Sequence, residues 1–461
     1  MVGLKICLIE PRSPGYHVFS EYKLPRLGLP LIGSVLRNLG HDVTIFCEEI
    51  AGLDWQEVFA SDLVGISTTT STAPRGFAIA DRIRAKRNML PIVFGGAHAS
   101  FLPEESLRHA DHVIRKEGEQ TIVELVKYLE NGATPLNEIL GLSYREGSKI
   151  CHNPDRPPLM DLDSLPFPDL NLVAGYEKVK ITPIATSRGC PFECSFCSVT
   201  TFWGKRYRFR SAENVLRELK EKQAQQVLFY DDNFAANISR TKKLLKAMID
   251  AGVTPPWSAQ TRTDVARDEE LLGLMKKSGC FLLQLGLESI NQNTLNTYNK
   301  GQEVNDVIGC IKALRKFGIR THGMFILGSD DDDIKTIYDT AKFALRNKIF
   351  TVQFLVLTPL PGSRVYNELD DYDRIYTKDW ALYDGHKVVF KPAKMTVYQL
   401  QKASFKATAK FYSWWQCTKL FASFRFVSWY FRSLVGHKTV KRWWKKNKDF
   451  VKSRRKLSVR Y

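Results

Sequence analysis

Residues 186–199 read TSRGCPFECSFCSV and set Cys190, Cys194 and Cys197 in a C-x3-C-x2-C spacing directly behind the apolar run ITPIA of residues 181–185. Three thiolates fall one short of a closed zinc centre, which takes four protein ligands and usually takes them in pairs. No further Cys or His follows Cys197 within fifty residues, so a structural zinc site is not the expected reading. A four-iron four-sulfur cluster is different. Held by three thiolates, it keeps one iron open to a small-molecule chelate, and that opening is where chemistry can take place. Three unrelated buried thiols are the plainer alternative, and the ordered spacing with an aromatic insert argues against it.

That spacing, with Phe196 immediately before the last cysteine and the strand-like ITPIATSRG ahead of it, resembles the radical S-adenosylmethionine (SAM) superfamily. The resemblance implies that Cys190, Cys194 and Cys197 hold a 4Fe-4S cluster and that the amino and carboxylate groups of SAM occupy the open iron. It further implies that an electron from the cluster cleaves SAM to a 5′-deoxyadenosyl radical. A small electron donor such as flavodoxin or ferredoxin is then an expected partner.

At 461 residues the chain has room for two or three domains. Nine cysteines, an odd number scattered from Cys7 to Cys417 and preceded by no signal-peptide pattern, imply reduced thiols in the cytoplasm. The net charge of +18 is local. Residues 401–461 hold 17 Lys and Arg against one acid, Asp449, a charge of +16, so residues 1–400 carry only +2. No run of eighteen apolar residues exists, so no helix is expected to span a membrane.

From Lys5 to about Ile114, short apolar runs (KICLIE, DVTIFCEE, LVGIS, PIVFGG, HVI) alternate with helical patterns such as LGLPLIGSVLRNLG and GFAIADRIRAKR. This alternation predicts α/β architecture, a doubly wound parallel sheet with helices on both faces. Ligands of such sheets sit beyond the carboxyl ends of the strands, here the turns holding Ser67, Thr68, Gly95 and Gly96. A Rossmann-like domain of this kind ahead of the cysteine triad resembles the cobalamin-binding radical SAM enzymes. The match lies in the Ser67 turn, GGAHASFLPEE at 95–105 and KEGE at 116–119. It implies cobalamin contacts from Ser67, Thr68, Gly95, Gly96 and Glu117. The D-x-H-x-x-G loop that supplies an axial His in many cobalamin proteins is absent, and EPRSPGYHVF stands in its place, so cobalt is expected without a protein His. His17 and His98 could be drafted into that role, but a lone loop His is more often structural.

Five prolines in PDRPPLMDLDSLPFPD mark a linker at residues 151–176, between the domain at 1–150 and a second at 177–395. Six strand-helix units follow, which predicts a partial (β/α)6 barrel with functional groups at the strand ends. Asp231 and Asp232 end the second strand, where the resemblance places the SAM ammonium. Gln260 and Arg262 lie in the third, where an Arg fork suits the SAM carboxylate. Glu288 and Ser289 end the fourth, facing the ribose, and GMFILG at 323–328 lets the fifth pass close to the adenine. With Phe196 these form the expected SAM contacts. Each residue alone is equally at home as a helix cap. TPLPGS at 358–363 and YDGHKVVFKP at 383–392 extend the resemblance to members of the type that includes the anaerobic magnesium-protoporphyrin ester cyclase and hopanoid-modifying enzymes, over about residues 1–400.

The segment 396–461 reads as a basic, aromatic, helical tail. Cys417, Leu420, Phe424, Val427, Phe431 and Leu434 step at helical spacing, Gly436 is the expected stop, and a second helix from Thr439 carries Val440, Trp444 and Val451 on one side. A helical cap on the barrel is one reading. Interleaved Trp, Phe, Lys and Arg favour the other, an interfacial helix on an anionic bilayer, with the protein peripheral at the inner face of the cell membrane. The expected activity is modification of an unactivated carbon of a hydrophobic small molecule or membrane lipid, by methyl transfer or by radical oxidation or cyclisation. A tRNA methylthiotransferase is disfavoured because Cys7, Cys47 and Cys151 do not form a second trio. A nucleic-acid binding protein with a basic arm is the rival of another class, and an intact SAM constellation argues against nucleic acid as the partner.

Overall fold

The computed structural model describes residues 3–13, 15, 23–422 and 425–457. His17 lies outside them.

The first sheet is built from β1 (Lys5–Glu10), β2 (Asp42–Cys47), β3 (Leu63–Ser67), β4 (Ile92–Gly95), β5 (His112–Ile114), β6 (Leu142–Glu146) and β7 (Lys149–His152), in the order β2-β1-β3-β4-β5-β6-β7. β1 through β5 are parallel, and β6 and β7 close the edge antiparallel. The alternation along β1 shows why two helical layers are needed. Ile6 and Leu8 join one core with Leu36, Leu125 and Val126, whereas Cys7 and Ile9 join another with Phe77, Ile79 and Ile83. Order reverses between β1 and its neighbours β2 and β3, which opens a crevice at their carboxyl ends.

The proline-rich stretch is not a free linker. Strand β7 runs to His152, and the chain beyond it folds back on the first sheet: the Ser34 hydroxyl donates to the Phe167 carbonyl at 2.8 Å, and Ala174 N–H donates to Ile45 at 2.9 Å. Proline spacing signals a break in regular structure but says nothing of where the irregular chain packs.

The second sheet comprises β8 (Thr182–Ile184), β11 (Val227–Phe229), β12 (Trp257–Thr261), β13 (Cys280–Glu288), β14 (Arg320–Leu327) and β15 (Thr351–Val356). It is parallel throughout, in the order β15-β14-β13-β12-β11-β8. Between β8 and β11, a short antiparallel pair of β9 (Ser187–Arg188) and β10 (Arg208–Phe209) brackets the cysteine loop. Five of the outer helices begin at Ser211, Asn237, Asp268, Asp333 and Thr396, whose side chains accept backbone N–H groups of the first turn. This is the open six-unit barrel that the alternation predicts.

The tail departs from its sequence pattern. The Val397–Phe411 helix belongs to the barrel, because Leu400, Ala403, Ala407 and Phe411 are part of its core. The supposed single stripe is split between the helices Trp414–Ala422 and Phe426–Tyr430. Cys417 and Leu420 are buried, but Val427 and Phe431 are exposed. Phe424 lies outside the described residues. Gly436 does not stop the chain, which winds through a wide turn at Phe431–His437 directly into the helix Lys438–Ser453. Its role is close approach, since a Cβ there would enter the Tyr412 ring. On the last helix Trp443 is the buried tryptophan, with Thr439, Asn447 and Val451, and Trp444 is its half-covered neighbour. Spacing fixes a helical face but cannot tell a continuous helix from two short ones that turn.

Candidate active site

The cysteine loop leaves β8 at Ile184 and is fixed from beneath before it reaches Cys190. Asp231, wholly buried, accepts the Thr186 N–H at 3.0 Å, the Thr186 hydroxyl at 3.1 Å and the Ser187 hydroxyl. Arg240 closes the network, donating to the Thr186 hydroxyl at 2.9 Å and to its carbonyl at 3.0 Å. Burial pushes the Asp231 carboxyl up, and Arg240 with the three donors opposes it. Asp231 is therefore the footing of the cluster loop and not the SAM partner that its strand-end position suggests. The sequence could not separate these roles, because adjacent strand-end aspartates point to opposite sides.

Further along, Ser195 N–H donates to the Tyr298 carbonyl and Val365 N–H to the Ser195 carbonyl, both at 3.0 Å, and Asn299 reaches the Glu193 carbonyl at 3.1 Å. Cys197 N–H donates to the Cys194 carbonyl at 3.0 Å, folding the C-x2-C turn. Phe196 turns its ring onto buried Tyr298, centroids 5.0 Å apart, with the Lys300 ammonium 6.0 Å away. All three thiols are free of disulfides. Burial pushes Cys197 up to about 12 and raises Cys190 as well, and the neighbouring thiols and Asp232 add to both shifts. Iron must therefore displace protons as it binds. Among the described residues, no three His, Cys, Asp or Glu side chains close on a single metal ion. A multi-iron cluster with three outer thiolates fits such a loop better than zinc.

Other strand ends surround this loop. Arg262, buried after β12, stacks its guanidinium 3.7 Å from the Phe192 ring centroid, lies 3.9 Å from Cys194 Sγ and donates to the Lys300 carbonyl. A charged fork is thus held beside Cys194, with a geometry that suits a carboxylate. Asp232, half-buried, is pushed up to about 7 by burial and then by Asp231. Asn233 is buried with its amide nitrogen unpartnered, a donor suited to a ligand oxygen. Gln260 is exposed at the strand end. Glu288, with φ of 58°, is paired with the Lys300 ammonium at 2.6 Å, and the Ser289 hydroxyl accepts the Asn291 N–H. The glycines of GMFILG leave no open space: Gly328 is filled by Leu400, and Gly323 by Leu287 and Ile349.

The first domain faces this mouth with the carboxyl ends of its own strands. Gly96, at φ of 86°, would drive a Cβ to 2.6 Å from the Thr68 carbonyl, so only glycine lets the two turns meet. At Gly95, by contrast, a Cβ would find nothing nearer than 3.8 Å, which leaves room for a flat ligand. Thr68 is buried with its hydroxyl unpartnered, and the Ser67 carbonyl accepts Arg26 at 3.3 Å. These residues fit cobalamin. Glu117 does not serve it: its carboxylate bridges Arg188 at 2.7 Å and Arg208 at 2.5 Å, while Arg188 also holds Glu119 at 2.5 Å. KEGE is an acidic clamp on the β9–β10 pair. His98 is wholly buried against Phe77 and Trp380, 3.4 Å from Glu105, and that packing makes it structural.

Two contacts escaped the sequence reading. Trp380 donates to both Glu105 oxygens at 2.9 and 3.0 Å, and Phe101 packs into the space over Gly362 of TPLPGS. The C-terminal edge of the barrel thus grips two consecutive short helices, Gly96–Phe101 and Pro103–Ser106. Neither has a sequence signal beyond an isolated aromatic. Arg188→Ala would leave Glu119 without its partner and Glu117 with Arg208 alone, and we expect about 3 kcal/mol lower stability, read by denaturant unfolding of the anaerobic protein.

The radical SAM superfamily profile matches residues 184–344 and the B12-binding domain profile residues 18–126. An uncharacterized methyltransferase of Pyrococcus horikoshii is 33% identical over 405 residues, covering 84% of this chain and 88% of that one. The chain belongs to the cobalamin-binding radical SAM enzymes. Bacteriochlorophyllide d C-12(1)-methyltransferase of Chlorobaculum tepidum is 28% identical across 88% of both chains. The cyclase and hopanoid types also appear: the magnesium-protoporphyrin ester cyclase of Cereibacter sphaeroides at 29% over 75% of this chain and 60% of its own, and the hopanoid C-3 methylase of Methylococcus capsulatus at 26% over 83% and 75%. Among solved structures, the radical SAM methyltransferase TsrM of Kitasatospora setae superposes with a TM-score of 0.68 at 19% identity, covering 80% of this chain and 78% of that one, a likeness of fold. This cobalamin-binding radical SAM enzyme is of the methyltransferase type and uses a 4Fe-4S cluster, SAM and cobalamin.

Proposed function

We propose that the enzyme transfers a methyl group to an unactivated carbon of a hydrophobic substrate. The observation that carries this reading is the apposition of the two carboxyl edges. Tyr230, directly after β11, is exposed, and Arg26 and Glu10 of the first domain lie near enough to act on its hydroxyl, as does Asp232. When bound, cluster and SAM supply a carbon-centred radical and methylcobalamin a methyl group. The chain's own residues do the placing. Arg262 holds a carboxylate beside Cys194, Asn233 donates to a ligand oxygen, and Phe192, Phe196 and Tyr298 keep water from the reacting atoms. In balance, a substrate hydrogen becomes a methyl hydrogen of 5′-deoxyadenosine and a methyl group takes its place. One SAM is the radical source and a second the methyl donor, with one electron for each from a flavodoxin or ferredoxin. A lipid extract from cells with the gene should contain a species heavier by one methyl than any in cells without it. A species that has lost hydrogen and gained no carbon would overturn methyl transfer in favour of oxidation or cyclisation.

The hydrophobic substrate and a position at the inner face of the membrane, with the chain cytoplasmic, are supported by the tail. Trp414, Trp415, Phe421 and Tyr430 are all exposed, on a segment whose charge is +16. Each Lys or Arg near an anionic bilayer contributes up to about 1 kcal/mol, and buried aromatic rings add a salt-resistant part that phosphate contacts to nucleic acid lack. Among the described residues no helix is long and apolar enough to cross a membrane.

The buried state of His98 gives a spectroscopic expectation. Paramagnetic resonance of the cobalt(II) form should show no hyperfine splitting from a protein imidazole, and His98→Ala should leave that spectrum unchanged. Imidazole splitting lost in the variant would make His98 an axial ligand.

A further inference from the structure

The turn of the tail, around residues 412–422 and 425–437, lies at the opposite end of the barrel from the cofactor mouth. The Val397–Phe411 helix starts level with the carboxyl ends of the strands, where Leu400 fills the space over Gly328 and Gln401 accepts the Val388 N–H at 3.0 Å. It then descends for fifteen residues, about 22 Å. At its lower end the Tyr412 hydroxyl exchanges hydrogen bonds with Val352 N–H at 2.9 Å and its carbonyl at 2.7 Å, at the amino end of β15. Arg432, buried, donates to the Phe350 carbonyl at 3.2 Å and to that of Ile349, and stacks 4.1 Å from the Phe411 ring centroid. The Lys438–Ser453 helix climbs back, with Trp444 on Phe405 at 4.4 Å and Arg455 reaching Tyr398 at 3.2 Å. The exposed Trp414, Trp415, Phe421, Phe426, Tyr430 and Phe431 are thus all gathered around the turn at the amino ends of the strands. The first domain covers the other end through Arg188–Glu117 and Trp380–Glu105.

We infer that this turn is a rigid membrane foot, that the mouth opens sideways between the domains and not onto the bilayer, and that the substrate is an amphiphile which has left the bilayer before its carbon is modified. This rests on the membrane reading above, and its occupant is an anionic lipid surface. Aromatic side chains flanked by Lys419, Arg425 and Lys438 match that surface in both apolarity and charge. A lipid attacked while still embedded would need the strand ends, not the strand beginnings, to touch the headgroups.

The full-length holoenzyme, kept anaerobic, is mixed with vesicles of phosphatidylcholine alone or of equal phosphatidylcholine and phosphatidylglycerol, and hydrogen exchange is followed by mass spectrometry. We expect slowed exchange with the anionic vesicles only, at residues 414–422 and 425–437, and unchanged exchange at 230–236 and 358–363 beside the mouth. Trp414→Ala with Trp415→Ala should lower the floated fraction at least about tenfold. Protection at 230–236 or 358–363 would overturn the orientation while leaving membrane binding intact. No flotation with either vesicle would overturn the membrane reading itself. Concentration-dependent dimers in the absence of lipid, lost in the double variant, would make a second copy of the chain the occupant.

Discussion

Replacing any one of Cys190, Cys194 or Cys197 with Ala should leave anaerobically reconstituted protein without the broad visible absorption of a thiolate-ligated cluster and without detectable 5′-deoxyadenosine from SAM. The loss is total because two thiolates cannot retain a cluster that already lacks its fourth protein ligand. It is also specific. The loop is pinned through Asp231, Tyr298 and Asn299, none of which touches a cysteine sulfur, so circular dichroism of the variants should match the parent. Cys194 also carries the nearby Arg262 guanidinium, and its variant should weaken SAM binding in addition. Iron retained at parental stoichiometry by the triple variant would refute the assignment of the cluster ligands.

Asp231→Ala should have the second largest effect, and through folding. Removing a buried carboxylate takes away a negative charge that acts on buried Arg240 and strips Thr186 and Ser187 of their common acceptor. Losing one charged acceptor that serves three buried donors costs roughly 3–5 kcal/mol. Unfolding by denaturant should show that loss, and the iron content after reconstitution should fall with it, since the loop ahead of Cys190 loses its footing. Asp231→Asn keeps an acceptor oxygen and should fall between. Asp232→Asn, one residue on and half-buried, should retain iron, which separates the support role from proximity to the cluster. Full iron loading and parental stability in Asp231→Ala would instead make Asp231 a free strand-end group.

Much of this protein is local, and the sequence determined that part alone. The C-x3-C-x2-C spacing carries its meaning within eight residues. Alternating apolar runs and helical stripes specify the two parallel sheets, because each strand must bury both faces, as Ile6 with Leu8 and Cys7 with Ile9 do. Charge concentrated beyond residue 400 marks the tail as a device of its own. What only the tertiary structure decided is which polar groups at the strand ends remain available to ligands. Asp231 and Asp232 are equivalent on paper; one is sealed under Thr186 and the other lies near the thiols. Glu117 sits where a cobalamin contact was expected, yet two arginines from the β9–β10 pair, more than seventy residues on, consume its carboxylate. The glycines of GMFILG look like room for a base and are filled by Leu400 and Ile349. The tail's aromatic residues are visible in the sequence, but their position at the foot of the barrel follows from Tyr412 and Arg432 bonding the backbone of residues 349–352. Period and spacing record what a segment does within its own turn or strand. Long-range ion pairs and close packing depend on which distant segments the fold brings together.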